Sequence, residues 1–414
     1  MLRSLIHRPK GMISELLADF DLAEEAARLA GEPQTEINVI IARGNTLGLI
    51  KRLEDGKREI RRGLERAKGI GWEFGIAAAE AGLACIWMVE GKLDQAVEYY
   101  DRSLPVLEKG GPAFVVMLSC ASRAWLHEYQ LEYEGTERVL NLVKKREQEE
   151  GAIYFRFMSV YIGGLALANR GRISEAVASL EWIRRVAELN DERIWLPRLP
   201  NALGWIRREM QDLEGALRLD TEGVRLAREL GCREGEANSH VNLGHDYVML
   251  GELPRALEQL EEAERIYNRD VWNRWRYYIR LQGERASYWI ARGDLKQAAR
   301  HADICLEKAR STLSRKHWAW AHKLRGDIAM LDERAPDAWI EYQTAMSILD
   351  GFPCPFIEWR ILLAASKAAR ALHDAAAADD LRRRARHTAQ TLADSVKEAP
   401  LRGQFLGSQV IREL

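Results

Sequence analysis

The residue types with the most capacity for chemistry are the nine histidines, and their spacing argues against a reactive centre. His240 and His245 are five residues apart, as are His317 and His322. Five residues correspond to about 140° around a helix, so the two rings of each pair point from different faces and do not suit a shared metal ion. His301 lies on a predicted helix, where we expect it to be solvated. The histidines predict no metal site.

The cysteines and short motifs point the same way. The five cysteines are widely spread and include no Cys-x-x-Cys pair, a pattern that favours reduced thiols in a cytoplasmic protein: Cys85, Cys120, Cys232, Cys305 and Cys354. The sequence has no G-x-S-x-G elbow and no phosphate-binding G-x-x-x-x-G-K-S/T loop. We therefore predict a protein that is not an enzyme and that uses no cofactor.

The charge balance and apolar runs exclude two further classes of function. With 61 basic and 62 acidic residues, the chain lacks the broad positive surface of a nucleic-acid-binding protein. The strongest basic run is 381–386, but Asp379 and Asp380 precede Arg383 and Arg384 by four residues, the spacing of exposed intrahelical ion pairs. No apolar run approaches the ~18 residues of a membrane span. We expect a cytoplasmic protein with no membrane partner.

The elements that must position any binding residues are set by a repeat of forty residues. Gly91, Leu131, Gly171, Gln211 and Gly251 follow one another at intervals of 40. Seven residues before each such position lies a small residue, and the column continues along the chain: Gly44, Ala84, Ala124, Gly164, Gly204, Gly244, Ala286 and Gly326. Repetition at this period predicts a solenoid of helix pairs, in which a small residue on helix A lets helix B approach closely.

One repeat carries a family resemblance. Leu243-Gly244, Tyr247, Gly251, Ala256 and Ala263 resemble the pattern of the tetratricopeptide repeat (TPR), although the period is 40 rather than about 34. The resemblance covers nearly the whole chain and implies an all-α, right-handed α-solenoid of about nine helix-turn-helix repeats. Such long repeats are similar to the C-terminal arms of large bacterial signalling ATPases and transcription activators.

The repeat also divides the chain. Residues 11–15 match 171–175, so we interpret 1–30 as a half repeat with a lone B helix, whose A helix would fall before residue 8. The array covers 31–350 and includes one lengthened repeat, whose extra residues fall around 268–273, beside Trp272 and Trp275. A last helix pair follows in 351–394. Residues 395–414 resemble the capping helix of the ATPase arms, which implies an ATPase partner or module missing from this chain.

The concave surface of such a superhelix is formed by the A helices. Fixed positions around the small column predict a polar, cationic and aromatic stripe in the central repeats: Arg198, Asn201, Trp205, Arg208, Asn238, Asn242, His245, Arg280, Glu284 and Lys323. Arginine and amide groups could clamp an acidic peptide or a C-terminal carboxylate. The same positions in earlier repeats are apolar, such as Ala81, Leu118 and Trp125. They are either core residues or a surface covered by a partner.

We predict a non-catalytic interaction or regulatory sensor arm that binds a peptide or protein in this groove. A small-molecule-sensing domain of a transcription regulator is the first alternative. The second is a nucleic-acid-associated scaffold, which the Trp and Arg residues of 272–276 favour because their side chains could stack on bases. The near-zero net charge argues against it.

Overall fold

The computed structural model describes residues 13–110, 113–150, 154–269 and 273–414, and these form 21 helices with no strand among them. The first half of the described chain contains α1 (Ile13–Leu29), α2 (Pro33–Leu49), α3 (Leu53–Gly69), α4 (Glu73–Glu90), α5 (Leu93–Lys109), α6 (Ala113–Gln130), α7 (Tyr133–Glu150), α8 (Tyr154–Asn169), α9 (Ile173–Leu189) and α10 (Arg198–Glu209). The helix expected before residue 8 and Trp272 lie outside the described residues.

The second half continues the same alternation of A and B helices. It contains α11 (Leu213–Glu229), α12 (Arg233–Met249), α13 (Leu253–Tyr267), α14 (Arg274–Arg292), α15 (Leu295–Ser311), α16 (Arg315–Leu331), α17 (Ala335–Leu349), α18 (Pro355–Ala371), α19 (Ala375–Asp394), α20 (Ala399–Gly407) and α21 (Gln409–Arg412). Each helix packs on its neighbours in sequence, so the described chain is the all-α solenoid that the forty-residue repeat predicts. Long helices, most of 15 to 19 residues, account for the lengthened period.

The repeat position marks the left-handed residue of the turn between helices A and B. Gly91, Gly171 and Gly251 have φ of 83°, 83° and 73° there. Leu131 and Gln211 adopt φ of 59° and 62° at the equivalent positions. This conformation ends helix A and turns the chain into helix B, and glycine adopts it without strain.

The column of small residues marks the closest approach of helices A and B within a pair. A Cβ atom at Gly44 would lie 2.5 Å from Ile60, and one at Gly244 would lie 2.6 Å from Leu260. In both pairs the obstructing side chain belongs to helix B, which follows directly along the chain. A larger side chain in this column would therefore force each helix pair apart.

One helix departs from the repeat. Helix α10 has only 12 residues because 190–197 form a turn before it and Pro197 and Pro200 fall at its start. Proline fits the first turn of a helix but not its interior, so the helix begins at the turn that contains these two prolines. The extra residues of the lengthened repeat lie where predicted, between the end of α13 at Tyr267 and the start of α14 at Arg274.

The solenoid closes on itself along a line of contacts that we call the seam, in which residues of one helix pair meet residues four or five pairs later. The indole Nε1 of Trp275 on α14 donates to the carbonyl of Met88 on α4 at 2.7 Å. Arg315 on α16 donates to the carbonyl of Gln130 on α6 at 3.1 Å. The hydroxyl of Tyr133 donates to the carbonyl of Pro353 at 2.7 Å. The seam thus joins successive turns of the superhelix.

The seam continues to the C-terminal helices. Arg360 on α18 pairs with Glu209 on α10 at 2.7 Å, and Arg207 pairs with Glu398 at 3.2 Å. Ala81, Leu118 and Ala121 of the apolar early repeats are buried, as the core interpretation predicts. The N-terminal end of α14 covers the neighbouring Trp125, since the Arg276 guanidinium lies 3.8 Å from the centre of an indole ring of that residue. A segment of the chain itself therefore occupies this surface.

Candidate ligand-binding cavity

The superhelix surrounds a partly open cavity of about 590 Å³, which we call the main cavity. Five successive A helices form its wall, namely α10, α12, α14, α16 and α18, and Val410 of α21 contributes at one edge. Next to it lies a smaller space of about 60 Å³, the junction chamber, which borders α6, α8 and the starts of α14 and α16. Trp205, Arg280, Lys316 and His317 border both spaces.

Eight of the ten predicted groove residues border one or both of these spaces. The main cavity is bordered by Trp205, Arg208, His245, Arg280, Glu284 and Lys323. The junction chamber is bordered by Asn201 and Asn238, together with Trp205 and Arg280. Arg198 and Asn242 border neither. The helical phases chosen from sequence thus bring most of the stripe together, although its role in binding a ligand stays a prediction.

Arg208 is a buried structural cation rather than an open ligand contact. Its side chain is 2% exposed and donates to Asp246 at 3.0 Å, with Asp220 3.6 Å away. Burial opposes the charge, but the two aspartates raise the pKa of Arg208. Burial and the nearby Asp246 raise the pKa of Asp220 well above its usual value, which favours the neutral form of that carboxyl group. The cluster therefore balances one arginine against one carboxylate.

The three asparagines of the stripe form a hydrogen-bonded ladder between α10 and α12. Asn242 donates to Asp220 at 2.7 Å and to the main-chain carbonyl of Asn201 at 3.2 Å. Asn238 donates to the side-chain oxygen of Asn201. Arg280 on α14 donates to the amide oxygens of both Asn238 and Asn242. The ladder joins three A helices and fixes the direction of the Arg280 guanidinium.

Most remaining charges of the stripe are paired. Arg198 pairs with Glu234, His245 with Glu284 at 2.9 Å, and Lys323 with Asp327 at 2.5 Å. Burial opposes the charge of Glu284, but His245 and Arg208 outweigh it and lower the pKa of that carboxyl group. These pairs hold the wall of the main cavity in one arrangement.

Trp205 separates the two spaces. Its indole nitrogen donates to Glu209 at 3.2 Å, and its ring packs edge-on against Phe356 with centroids 5.5 Å apart. The ammonium of Lys316 lies 4.2 Å from the centre of an indole ring of Trp205, a cation–π geometry. Trp205 thus forms an aromatic wall of the main cavity. Its ring also supports the ammonium of Lys316, which borders the junction chamber.

Sequence reasoning missed the cationic lining of the junction chamber. Arg276 donates to the hydroxyl of Tyr129, and Lys316 donates to Asn169 at 3.0 Å. The amide of Asn169 in turn donates to Glu128 at 2.6 Å. Arg276 and Lys316 are 40 residues apart and hold equivalent positions in two repeats. A basic residue at the same position of two repeats is the sequence signal that could have identified them.

The electrostatics of the junction chamber favour an uncharged histidine beside strong cations. Burial, followed by the charges of Lys316, Arg280 and Arg276, holds the pKa of His317 well below its usual value. Burial also lowers the pKa of Lys316. Burial raises the pKa of Glu128, although Arg276 and Lys316 oppose this change. Positive charge is therefore in excess around this small space.

One further cluster of polar side chains in the described part of the chain resembles a metal site, but an arginine already occupies it. Glu236, His240 and Glu262 have potential ligand atoms within 4.8 Å of one another, but Arg228 already bonds Glu236 at 2.6 Å and approaches His240 at 3.3 Å. The expectation that His301 is solvated is wrong, because its ring is buried and hydrogen-bonded to Gln282 at 2.7 Å.

The basic run 381–386 is engaged within the chain. Arg384 lies 3.9 Å from Asp380 four residues before it, as the spacing predicts, whereas Arg383 bonds Asp380 three residues before it and Asp379 pairs with Arg370. Arg382 donates to the terminal oxygen of Leu414 at 2.9 Å, and Arg386 reaches the same oxygen. The run therefore anchors the last residues on α19. Among the described residues, no helix combines the length and apolar character needed to cross a membrane.

Comparison with known proteins supports the fold. No family model matches the chain, and no curated protein matches it in sequence. A Rap protein complexed with Competence and Sporulation Factor is similar, with a TM-score of 0.61 and 11% identity over 88% of this chain and 100% of that chain. The Rap conjugation gene regulator of plasmid pLS20, in complex with the Phr* peptide, has a TM-score of 0.54 and 12% identity over 81% and 98%.

The APC/C hetero-tetramer Cut9-Hcn1 is also similar, with a TM-score of 0.50 and 12% identity over 97% of this chain and 81% of that chain. At these identities the likeness is one of fold. Together with the repeat, it shows that the described chain has a TPR-like helical solenoid fold.

Proposed function

We propose that this protein is a non-catalytic regulatory or sensor superhelix that binds a peptide segment of a partner inside the main cavity. The observation that carries the proposal is the cavity itself, which is lined by five consecutive A helices, is partly open and measures about 590 Å³. Ligand sites typically have volumes of about 300 to 1,000 Å³, so this space suits a peptide segment of a few residues.

The walls combine the surfaces that peptide recognition requires. Trp320, Phe356, Trp359 and Leu363 provide apolar and aromatic area for side chains. Arg280 and Lys316 provide hydrogen-bond donors at the end next to the junction chamber. A mostly apolar cavity with a few placed polar groups fixes both the affinity and the orientation of a ligand.

Two of the fold-matched Rap structures were solved in complex, one with Competence and Sporulation Factor and one with the Phr* peptide, which makes a peptide the first ligand class to test. An ATPase module or partner, predicted from the resemblance to signalling arms, is the component we propose such a sensor to control. Ligand binding across five A helices would change the seam, because the same helices carry its contacts.

The titratable groups support a non-catalytic role. Burial raises the pKa of the Cys305 and Cys354 thiols to about 12, so neither is a thiolate nucleophile at neutral pH. His245 and Glu284 bond each other, and Arg360 bonds Glu209. Such pairs stabilise a binding wall and provide no activated nucleophile.

A small-molecule sensor is the second candidate, because a volume of about 590 Å³ also suits a metabolite. The nucleic-acid alternative loses its main support, since Trp275 donates to Met88 in the seam and Arg276 packs over Trp125. These side chains are engaged within the chain and do not form an open stacking surface.

The test uses the full chain and a mixture of synthetic pentapeptides rich in apolar residues, with bound peptides identified by mass spectrometry after size exclusion. Ala364 borders the main cavity on α18, so Ala364→Trp should obstruct it and reduce retention at least tenfold. Ala376→Trp on the exposed face of α19 is the matched control and should bind as wild type does. Equal retention by both variants would refute the proposed site.

A further inference from the structure

The charges that border the main cavity are largely balanced in pairs. Lys323 pairs with Asp327 at 2.5 Å, and Arg360 pairs with Glu209 at 2.7 Å. Arg208 is balanced by Asp246 at 3.0 Å. At the exposed edge, Lys367 lies 3.6 Å from Glu413. These residues leave little net charge for a ligand to satisfy.

The junction between the two spaces is different. Within the described residues, Arg276, Arg280 and Lys316 have no carboxylate oxygen within 4.0 Å of their side-chain nitrogens. Their hydrogen-bond partners are the neutral groups of Tyr129, of Asn238 and Asn242, and of Asn169: a hydroxyl and three amides. Glu128 is the acidic residue that borders the junction chamber, against these three cations.

The start of α16 adds to this positive field. Ser314 precedes the helix, and the first main-chain amide that bonds back within this turn is that of Trp318, to the carbonyl of Ser314 at 2.8 Å. The amides of residues 315–317 therefore lie at the unpaired N-terminal end of a 17-residue helix. Ser314, Lys316 and His317 of this turn all border the junction chamber.

Resting on the proposed function, we propose that the junction of Arg280 and Lys316 binds a carboxylate group of the ligand, with the adjoining apolar part of the ligand in the main cavity. Arg276, one turn before Arg280 on α14, also borders the chamber. The ligand class is then an apolar peptide with a carboxylate at one end, from its C-terminus or from an acidic side chain.

Simple charge accounting favours an anion over other groups. Three cations and one carboxyl group border the chamber, so positive charge is in excess in a half-buried space, where water screens it poorly. A carboxylate accepts hydrogen bonds from a guanidinium and an ammonium together, and charge-assisted bonds of this kind are roughly twice as strong as neutral ones. An amide or a cation in the same place would leave the positive charges unbalanced.

The test compares two synthetic mixtures of apolar pentapeptides, one with free C-terminal acids and one with C-terminal amides, titrated against the full chain by fluorescence polarisation. We expect the acids to bind at least tenfold more tightly than the amides. Lys316→Met should abolish this difference, whereas Lys316→Arg should retain it. Lys308→Met, at a paired lysine of α15 that borders neither space, is the matched control and should preserve the difference.

The outcomes separate the carboxylate site from the proposed function. Equal binding of acids and amides by the wild type, or an acid preference that survives Lys316→Met, would overturn the carboxylate site while leaving a peptide cavity. Failure of both mixtures to bind would contradict the carboxylate site and the peptide function together. If amides with an internal Asp or Glu bind as acids do, the carboxylate comes from a side chain. Stronger competition by inorganic phosphate than by acetate would overturn the choice of a carboxylate.

Discussion

Replacing Arg208 with methionine should destabilise the fold and spare ligand binding, because this cation is buried against aspartates. The change keeps much of the apolar stem but removes the charge next to Asp246, which is fully buried. An aspartate that loses its buried partner must either stay charged at high cost or take up a proton. Taking up a proton at pH 7, from an unfolded pKa of about 3.9, costs about 4 kcal/mol.

The proton that Asp246 takes up also determines the sign of the pH dependence. Native Arg208→Met protein holds an extra proton compared with the wild type, so its relative stability falls as pH rises. At pH 5 the cost of that proton is only about 1.5 kcal/mol. With a urea slope of about 3 kcal/mol per M, the midpoint should fall by about 1.4 M at pH 7 and by about 0.5 M at pH 5.

The assay is urea unfolding followed by far-UV circular dichroism at both pH values. Arg225→Met is the matched control, since Arg225 is 57% exposed and pairs with Glu229 one turn away, and such pairs contribute less than about 0.5 kcal/mol. Adding Asp246→Asn to Arg208→Met should recover much of the lost stability. A midpoint for Arg208→Met equal to that of Arg225→Met, or a loss independent of pH, would refute this account of the cluster.

Two further predictions concern the seam and a buried histidine. Trp275→Ala removes a bond and packing area between turns, so the radius of gyration measured by small-angle X-ray scattering should increase; an unchanged radius would show that the seam does not set the pitch. Burial lowers the pKa of His301 to about 4, so unfolding takes up a proton below about pH 6.5 and wild-type stability falls as pH drops from about 6.5 to about 4. His301→Gln should reduce the loss of unfolding free energy over this pH range by about 1 to 2 kcal/mol, a figure that allows for solvent near the ring. Parallel curves for the two proteins would contradict the buried, neutral state.

Much of the fold follows from local sequence signals. The forty-residue repeat identifies the left-handed turn residues, and the small column identifies the contact between helices A and B. Gly244 is an example, because Leu260 on the next helix of the chain fills the space that a side chain at Gly244 would occupy. Contacts at such short separations are encoded within each repeat.

The seam could not be predicted in this way. Trp275 meets Met88 across 187 residues, and that contact depends on small rotations between repeats that accumulate over five helix pairs. The sequence gives no direct measure of these rotations. The start of α14 therefore covers Trp125, where the sequence left both a core and a partner-covered surface open.

The same limit explains the errors in the candidate site. The helical phases identified the positions that face inward, but they could not separate Arg208, which is sealed among carboxylates, from Arg280, which bonds only amides. Arg276 and Lys316 lie in the first turns of their helices, before the helical positions that were assigned to the groove. They reach the junction chamber because the seam brings the starts of their helices against the preceding turn.

A peptide ligand should occupy the main cavity, which the A helices line. Hydrogen exchange by mass spectrometry, with and without a peptide selected from the free-acid mixture, measures which helices the ligand protects. We expect slower exchange in segments of α10, α12, α14, α16 and α18, with the start of α16 at Lys316 included, and little change in α9 and α11 on the outer layer. Protection confined to the outer helices, with α14 and α16 unchanged, would contradict this expectation.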